Sequence, residues 1–247
     1  MLLPLSVMQA QQQEAGLIMS KSRDLSLISS LNATVNLSIT EKNGASRSRT
    51  ISMTTKSFSD GLEKRFIRFI EPADVRGTSM LVVDNKNMAD EMWIYLPALK
   101  KTRRIVSSEK GKSFMSSEFT NADMSSPPPD DFENRHLANS GSGNQWIIES
   151  IPKDEDIADQ YGYSRKVSYL DKDKYQVQKM EFYNFDNELF NTIEIKSVFP
   201  FQDGKYMIRN MIASNIITER KSEIMFTAIN EKVKVEDSFF SLQNLER

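Results

Sequence analysis

The chain contains no cysteine. That absence excludes a disulfide framework, a thiolate zinc site, an iron–sulfur cluster and a cysteine nucleophile. It also leaves no cysteine to carry a lipid anchor near the N-terminus. Histidine occurs once, so a catalytic or metal constellation built on several imidazoles is excluded. Glycine and proline are sparse, at 9 and 8 residues, which argues against a disordered or low-complexity chain. No stretch approaches the roughly 20 apolar residues that a membrane-spanning helix needs. Charge of one sign is not in surplus either: 32 basic residues face 34 acidic ones, net −2, with a pI near 5.7. Nucleic acid is therefore not expected as a partner, because phosphate binding needs a basic excess somewhere.

What is present is a chain of 247 residues, long enough to bury a full core without covalent staples. Residues 1–10, Met-Leu-Leu-Pro-Leu-Ser-Val-Met-Gln-Ala, are apolar and turn abruptly polar at Gln11. This reads as the tail of a secretory signal segment with Ala10 at the cleavage point, although a basic flank is missing; a native N-terminus is the other reading. Residues 11–247 are then expected to form a single domain. A helix is predicted over 12–30, with Ala15, Ile18, Leu25 and Ile28 on one face. The period then changes. Residues 33–40 alternate apolar and polar without a break, the pattern of a strand with one buried face. Asn43-Gly44 marks a hairpin turn, and a return strand includes 50–54. Further strands are predicted over 62–70, 79–84 and 92–96, with turns at Ser59-Asp60-Gly61 and Asn85-Lys86-Asn87.

Residues 100–144 read as an irregular insert with one short helix over 112–124. Strands resume at 145–151, 163–170, 174–185, 189–199, 205–218 and 222–235. They are punctuated by Asp171-Lys172-Asp173, Asp186-Asn187 and Asp203-Gly204, and a short helix is expected near 237–242. The expected class is α+β but mostly β: a curved antiparallel sheet of about ten or eleven strands with a helix at each end.

Little in the sequence suggests catalysis. His136 lies among Asp130, Asp131, Glu133 and Arg135, but the spacing matches no metal motif, and a solvated loop histidine is the simpler expectation. No serine sits in Gly-x-Ser-x-Gly, and Gly141-Ser142-Gly143 lacks the lysine of a phosphate loop. A pair of glycosidase carboxylates is not singled out by any pattern. The densest basic cluster, Lys100, Lys101, Arg103 and Arg104, suits anionic headgroups or an acidic partner surface, and equally a charged turn in water. Methionine is plentiful at 13 residues. Met53, Met80, Met180, Met207, Met211 and Met225 fall on strand positions, where flexible thioethers line surfaces that take varied apolar shapes or simply fill gaps.

Three blocks carry a resemblance. They are Phe69-Ile-Glu-Pro-Ala-Asp-Val-Arg-Gly-Thr-Ser-Met-Leu81, then Met92-Trp-Ile-Tyr-Leu-Pro-Ala-Leu-Lys-Lys-Thr-Arg-Arg-Ile105, then Ser113-Phe-Met-Ser-Ser-Glu-Phe119. In order and spacing they resemble the LolA/LolB-like periplasmic proteins, in the branch of outer-membrane lipoprotein-sorting proteins. The family usually writes Gly-Ser-Asp where this chain has Ser116-Ser117-Glu118. The resemblance implies a half-open β-barrel covered by helices, an apolar hollow beneath them, export to the periplasm, and transfer of lipid cargo without catalytic residues or cofactors. Expected partners are lipid, phospholipid or acylated lipoprotein cargo and an inner-membrane transporter, with only peripheral or transient membrane contact. The candidate lining of the hollow is Val35, Leu37, Ile39, Ile51, Met53, Phe69, Met80, Trp93, Tyr95, Phe114, Met115 and Phe119. Headgroup or partner contacts are assigned to Lys100, Lys101, Arg103 and Arg104. The insert, from Ser113 onward, is the candidate lid. The rival reading is an envelope protein-interaction module whose core is filled by its own side chains, with no lipid.

Overall fold

A computed structural model describes residues 5–58, 61–85, 90–137, 143–201, 203–231 and 233–247. Period-2 patterning organises it. In β1 (Ser30–Thr40), Leu31, Ala33, Val35, Leu37 and Ile39 are buried while the residues between them are not. Gly44, at φ +84°, closes the turn after β1, where a left-handed backbone suits glycine, and Asn43 Oδ1 accepts the Ala45 N–H at 3.0 Å. The chain then steps outward through β2 (Ser46–Ser57), β3 (Glu63–Glu71), β4 (Ser79–Asp84), β5 (Glu91–Leu96) and β6 (Lys101–Ile105). After a crossing segment it restarts at the far edge. It meanders back through β7 (Phe132–His136), β8 (Gln145–Pro152), β9 (Arg165–Asp171), β10 (Val177–Tyr183), β11 (Leu189–Pro200), β12 (Tyr206–Asn215) and β13 (Lys221–Glu231). β13 pairs with the free edge of β1, with Leu37 opposite Ile224.

The result is one antiparallel sheet of thirteen strands, ordered β6-β5-β4-β3-β2-β1-β13-β12-β11-β10-β9-β8-β7, which does not close. Bulges between Thr34 and Val35, and on both sides of Ser197, help it curve. The expected ten or eleven strands become thirteen because β6 and β7, read as a basic cluster and a loop, are strands. Both lie at the open edges of the sheet. Lys-Thr-Arg-Arg-Ile and Phe-Glu-Asn-Arg-His carry the charge that keeps an edge from pairing with another chain, and the same charge masks strand character.

Among the described residues, four α-helices accompany the sheet. α1 (Leu5–Ser26) begins earlier than predicted, since no proline interrupts the chain after position 4, and ends earlier. Its Ala15 and Ile18 pack on Ile148 and Leu170, so it crosses the concave side near β8 and β9. α2 (Ser107–Lys110) follows β6. α3 (Glu155–Tyr161) was not foreseen; Asp154 caps it by accepting the Ile157 N–H at 2.8 Å. α4 (Leu242–Leu245) lies on the convex side, where Leu245 and Phe240 pack with Phe66 and Leu81. The helix expected over 112–124 does not form. Short 3-10 turns at Phe114–Ser116 and Ala122–Met124 replace it. The Ser113 and Ser117 hydroxyls donate to the carbonyls of Ser117 and Phe114, and such local bonds compete with a helix. The predicted turns at 59–61 and 85–87 fall largely outside the described residues.

The convex brace gives a first prediction. Leu245 is fully buried. Leu245→Ala should cost about 2–5 kcal/mol in urea unfolding, the range for an aliphatic truncation in a packed cluster. Its apolar neighbours on the concave face should be unaffected.

Candidate functional site

The concave side of the sheet is largely apolar from β5 to β12. Cross-strand register carries the face from Val35 to Ile51, Ile51 to Phe69, Ile67 to Met80, and Met80 to Ile94. In the other direction it passes from Val35 to Phe226 and from Ile224 to Met211. Beneath it lies a cavity of about 200 Å³, lined by Leu31, Val35, Ile51, Met53, Met207 and Phe226 among others. Glu63 and Arg65, which form an ion pair, stand at its polar border. A second cavity of about 230 Å³ lies under β9–β12, lined by Phe119, Tyr163, Lys166, Met180, Phe182 and Ile193 among others. Asp123, Ser125, Ile208 and Met211 border both.

Both cavities are roofed by residues 107–131. Phe114 and Phe119 point from the roof into the core and are almost wholly buried, with the Phe114 ring 5.8 Å from that of Phe69. The turn between them needs left-handed backbone at Met115 (φ +50°) and Ser116 (φ +61°). Ser116, at the position where the resemblance implies glycine, takes this left-handed backbone at a strain cost. The roof is latched mostly through its backbone carbonyls. Arg49 donates to the Met115 carbonyl, Arg220 and Arg47 to that of Ser116 at 2.9 and 3.4 Å, and Arg65 to that of Met124. Arg220 also pairs with Glu118 at 2.7 Å. The Ser126 N–H donates to Asp84 Oδ2 at 3.2 Å, and Arg23 of α1 reaches the Ser126 carbonyl at 3.3 Å. At the other end, α2 and α3 approach closely: a Cβ added to Gly111 would stand 2.8 Å from Gly162 Cα, so only glycine fits.

Two buried groups in this region titrate abnormally. Burial pushes the Asp84 carboxyl up to about 7, against the opposing pull of Arg65. Burial pushes the Lys166 ammonium down to about 8, against the opposing influence of Asp123. Asp123 is itself raised by burial, although its Oδ2 accepts the Thr120 N–H at 2.7 Å. Tyr161 and Tyr163, stacked beside Phe132, are raised by burial as well, and Tyr161 donates to Asp131 at 2.6 Å.

Of the predicted lining, Val35, Ile51, Met53 and Phe114 border the first cavity and Phe119 the second. Leu37, Ile39, Phe69 and Met80 lie on the same face, packed into the core. Met115 is half-buried at the turn of the roof. Trp93 and Tyr95 do not join them. They face the convex side, against the cluster of Phe66, Leu81, Phe240 and Leu245, because Trp93 pairs with Leu81, one residue out of phase with Met80. The basic cluster is also split by strand alternation. Arg103 bonds Glu109 at 2.6 Å and Arg104 bonds Glu91 at 3.3 Å, from alternate positions of β6, while Lys100 occupies a left-handed turn and Lys101 is exposed. His136 is not a loop residue. It sits in β7 with only 15% of its side chain exposed, its Nε2 3.8 Å from Glu14 of α1. No cluster of three or more metal-ligating His, Asp or Glu residues occurs among the described residues. Among those residues, no helix is long and apolar enough to cross a membrane. Sequence reasoning missed Lys166, Asp123 and Asp84; a charged residue on a half-polar strand carries no mark of which face it takes.

A wide, unclosed antiparallel sheet whose concave apolar face is covered by α1 and the turns of residues 107–131 defines an open half-barrel fold. A profile described as an uncharacterized protein family matches residues 61–247. The chain belongs to that family, and its fold is LolA-like. It is similar to a domain from Vibrio parahaemolyticus described as an outer membrane lipoprotein-sorting protein, with 26% identity, TM-score 0.86, and 96% of this chain and 100% of that one covered. A DUF1329 family protein from Desulfovibrio piger superposes at TM-score 0.85 and 24% identity, over 95% and 99% of the two chains. A LolA superfamily protein from Nitrosomonas europaea shares the fold at TM-score 0.71 and 15% identity, over 93% and 98%. No curated protein matches the chain in sequence.

Asp84 makes the roof's stability depend on pH. Its folded pKa, about 7, lies above its unfolded value near 3.8, so its stabilising contribution is full below about 4 and lost as pH rises through 7. The unfolding free energy of the wild type, measured against Asp84→Asn in urea at pH 5, 6 and 7.5, should therefore fall by about 1 kcal/mol per pH unit. A pH-independent difference between the two proteins would contradict this assignment.

Proposed function

We propose that this chain is a periplasmic carrier or sensor that takes lipid, phospholipid or lipoprotein acyl chains into its concave hollow, and that it is not an enzyme. One observation carries the reading. An apolar, methionine-rich cavity of about 200 Å³ lies under a roof anchored chiefly by arginine-to-carbonyl bonds. A space of this size suits a group little larger than benzene, which fills an engineered cavity of roughly 150 Å³, and falls short of the ~300 Å³ of ordinary ligand pockets. A long acyl chain thus enters only when residues 107–131 lift away, and the roof acts as the gate. Burying acyl carbons gains about 0.8 kcal/mol per CH₂, so a 16-carbon chain gains roughly 12 kcal/mol, enough to displace Phe114 and Phe119 from the hollow they fill. Methionines at Met53, Met124, Met207 and Met211 let the lining re-form around the chain. Lys100, Lys101, Arg103 and Arg104, on the edge strand beside the roof, contact headgroups or a donor protein.

The deep burial of Phe114 and Phe119 favours the second reading, an interaction module with a self-filled core. Organic extraction of the purified protein followed by mass spectrometry separates the two. Lipid recovered at close to one per chain is the expected result; protein that is repeatedly empty and ignores fluorescent fatty-acid probes establishes the interaction module.

Two variants test the gate and the hollow. Met53→Asp, if folded by circular dichroism, should take up a fluorescent fatty acid at least tenfold more weakly, since a carboxylate would face the acyl chain. Arg49→Met removes the donor to the Met115 carbonyl and should accelerate probe uptake several-fold in stopped-flow fluorescence. Uptake at the wild-type rate would show that the roof does not limit entry.

A further inference from the structure

The second cavity holds a charge that the apolar hollow does not explain. Lys166 extends from β9 between Ser150 of β8 and Phe182 of β10, on the concave face. Its ammonium lies 5.0 Å from the centre of the Phe132 ring. Among the described residues no carboxylate comes within ion-pair distance of it and no acceptor within hydrogen-bonding reach. Asp123, across the same cavity, is near enough to act on its charge without pairing, and is itself engaged by the Thr120 N–H. The remaining wall is mostly aromatic and aliphatic: Phe119, Tyr163, Met180, Phe182 and Ile193. A cation in such a wall is costly unless something anionic reaches it. A lysine serving only packing would be better as methionine.

We propose that Lys166 is the headgroup anchor of this protein's cargo, and that the cargo is a single acyl chain ending in a carboxylate. The inference rests on the lipid-binding reading above and narrows it. Size permits the head: about 230 Å³ has room for a carboxylate and its first methylenes. Geometry supplies the path. Ile208 and Met211 border both cavities, so a carboxylate on Lys166 leaves its tail leading past these two flexible side chains into the first cavity, against Val35, Ile51 and Met53. The other titratable groups lining the second cavity are Asp123, Tyr161 and Tyr163, with Asp131 bonded to Tyr161 behind them. None of these is a cation, so Lys166 is the one cation among the described residues that line this wall.

The test compares palmitic acid with 1-hexadecanol, each displacing a fluorescent fatty-acid probe from the full chain at pH 7. Wild type should prefer the acid by about tenfold or more, the worth of a charge-assisted hydrogen bond in a dry site. Lys166→Met should bind both equally while retaining the alcohol's affinity. Should that variant not fold, a pH series on the wild type serves instead: acid affinity falls toward that of the alcohol as pH is raised through about 8, where Lys166 loses its proton, while alcohol affinity stays level. Equal binding of acid and alcohol by wild type at pH 7, or a preference that survives Lys166→Met, overturns the anchor and leaves the hollow intact. Binding of neither ligand overturns the lipid reading itself, and this inference with it.

Discussion

An antiparallel sheet that is apolar along one face and does not close has to be covered, because exposed apolar area of that extent is unfavourable in water. Everything distinctive in this molecule follows from how the covering is done. On the convex side the C-terminal segment packs Phe240 and Leu245 onto β3 and β4 as a brace, which Arg68 and Lys56 also tie through the Asn244 and Val235 carbonyls. On the concave side the cover is of two kinds. Phe114 and Phe119 supply apolar contact, but the segment bearing them is tied down by Arg47, Arg49, Arg65 and Arg220 through bonds to its carbonyls. Such bonds exchange readily with water, whereas aliphatic packing does not. The roof therefore relies on exchangeable contacts more than the brace does.

That contrast places the buried charges. Asp84 and Arg65 stand where the roof meets the sheet, and Asp123 and Lys166 stand between the two cavities or at their wall. Charges in these positions lower the stability of the closed form relative to an all-apolar interior. They cost stability in the region that the proposed function requires to open, where they outnumber the one comparable cation of the brace, Arg68, which donates to the Asn244 carbonyl. Family likeness over residues 61–247 includes the roof and the brace together.

Much of this was legible residue by residue. The alternation in β1 reads directly as its burial pattern, and Asn43-Gly44, Asp186-Asn187 and Asp203-Gly204 sit at the turns where their backbone preferences put them. The blocks from Phe69 to Phe119 were enough to point to the half-open architecture. Illegible were the elements whose local chemistry is overruled. β6 and β7 carry charge because they are edges, so their strand character is hidden by the feature that makes them safe edges. Within the roof a helix is expected over 112–124, and the left-handed turn at Met115 and Ser116 that breaks it has no glycine to announce it.

The sequence by itself determined the sheet: hydrophobic period, turn residues and length suffice for a long antiparallel meander with one apolar face, because these are local properties of consecutive residues. Tertiary structure alone decided which face each doubly covered strand presents. In β4, Ser79, Met80, Leu81 and Val82 are all buried, since the roof covers one side and the brace the other, and the alternation that would assign faces disappears. Trp93 and Tyr95 therefore went to the convex side, and Lys166, on a strand with charge on both faces, turned inward. Facing is set by pairing partners distant in the chain, and a shift of one residue in that pairing reverses every side chain on the strand.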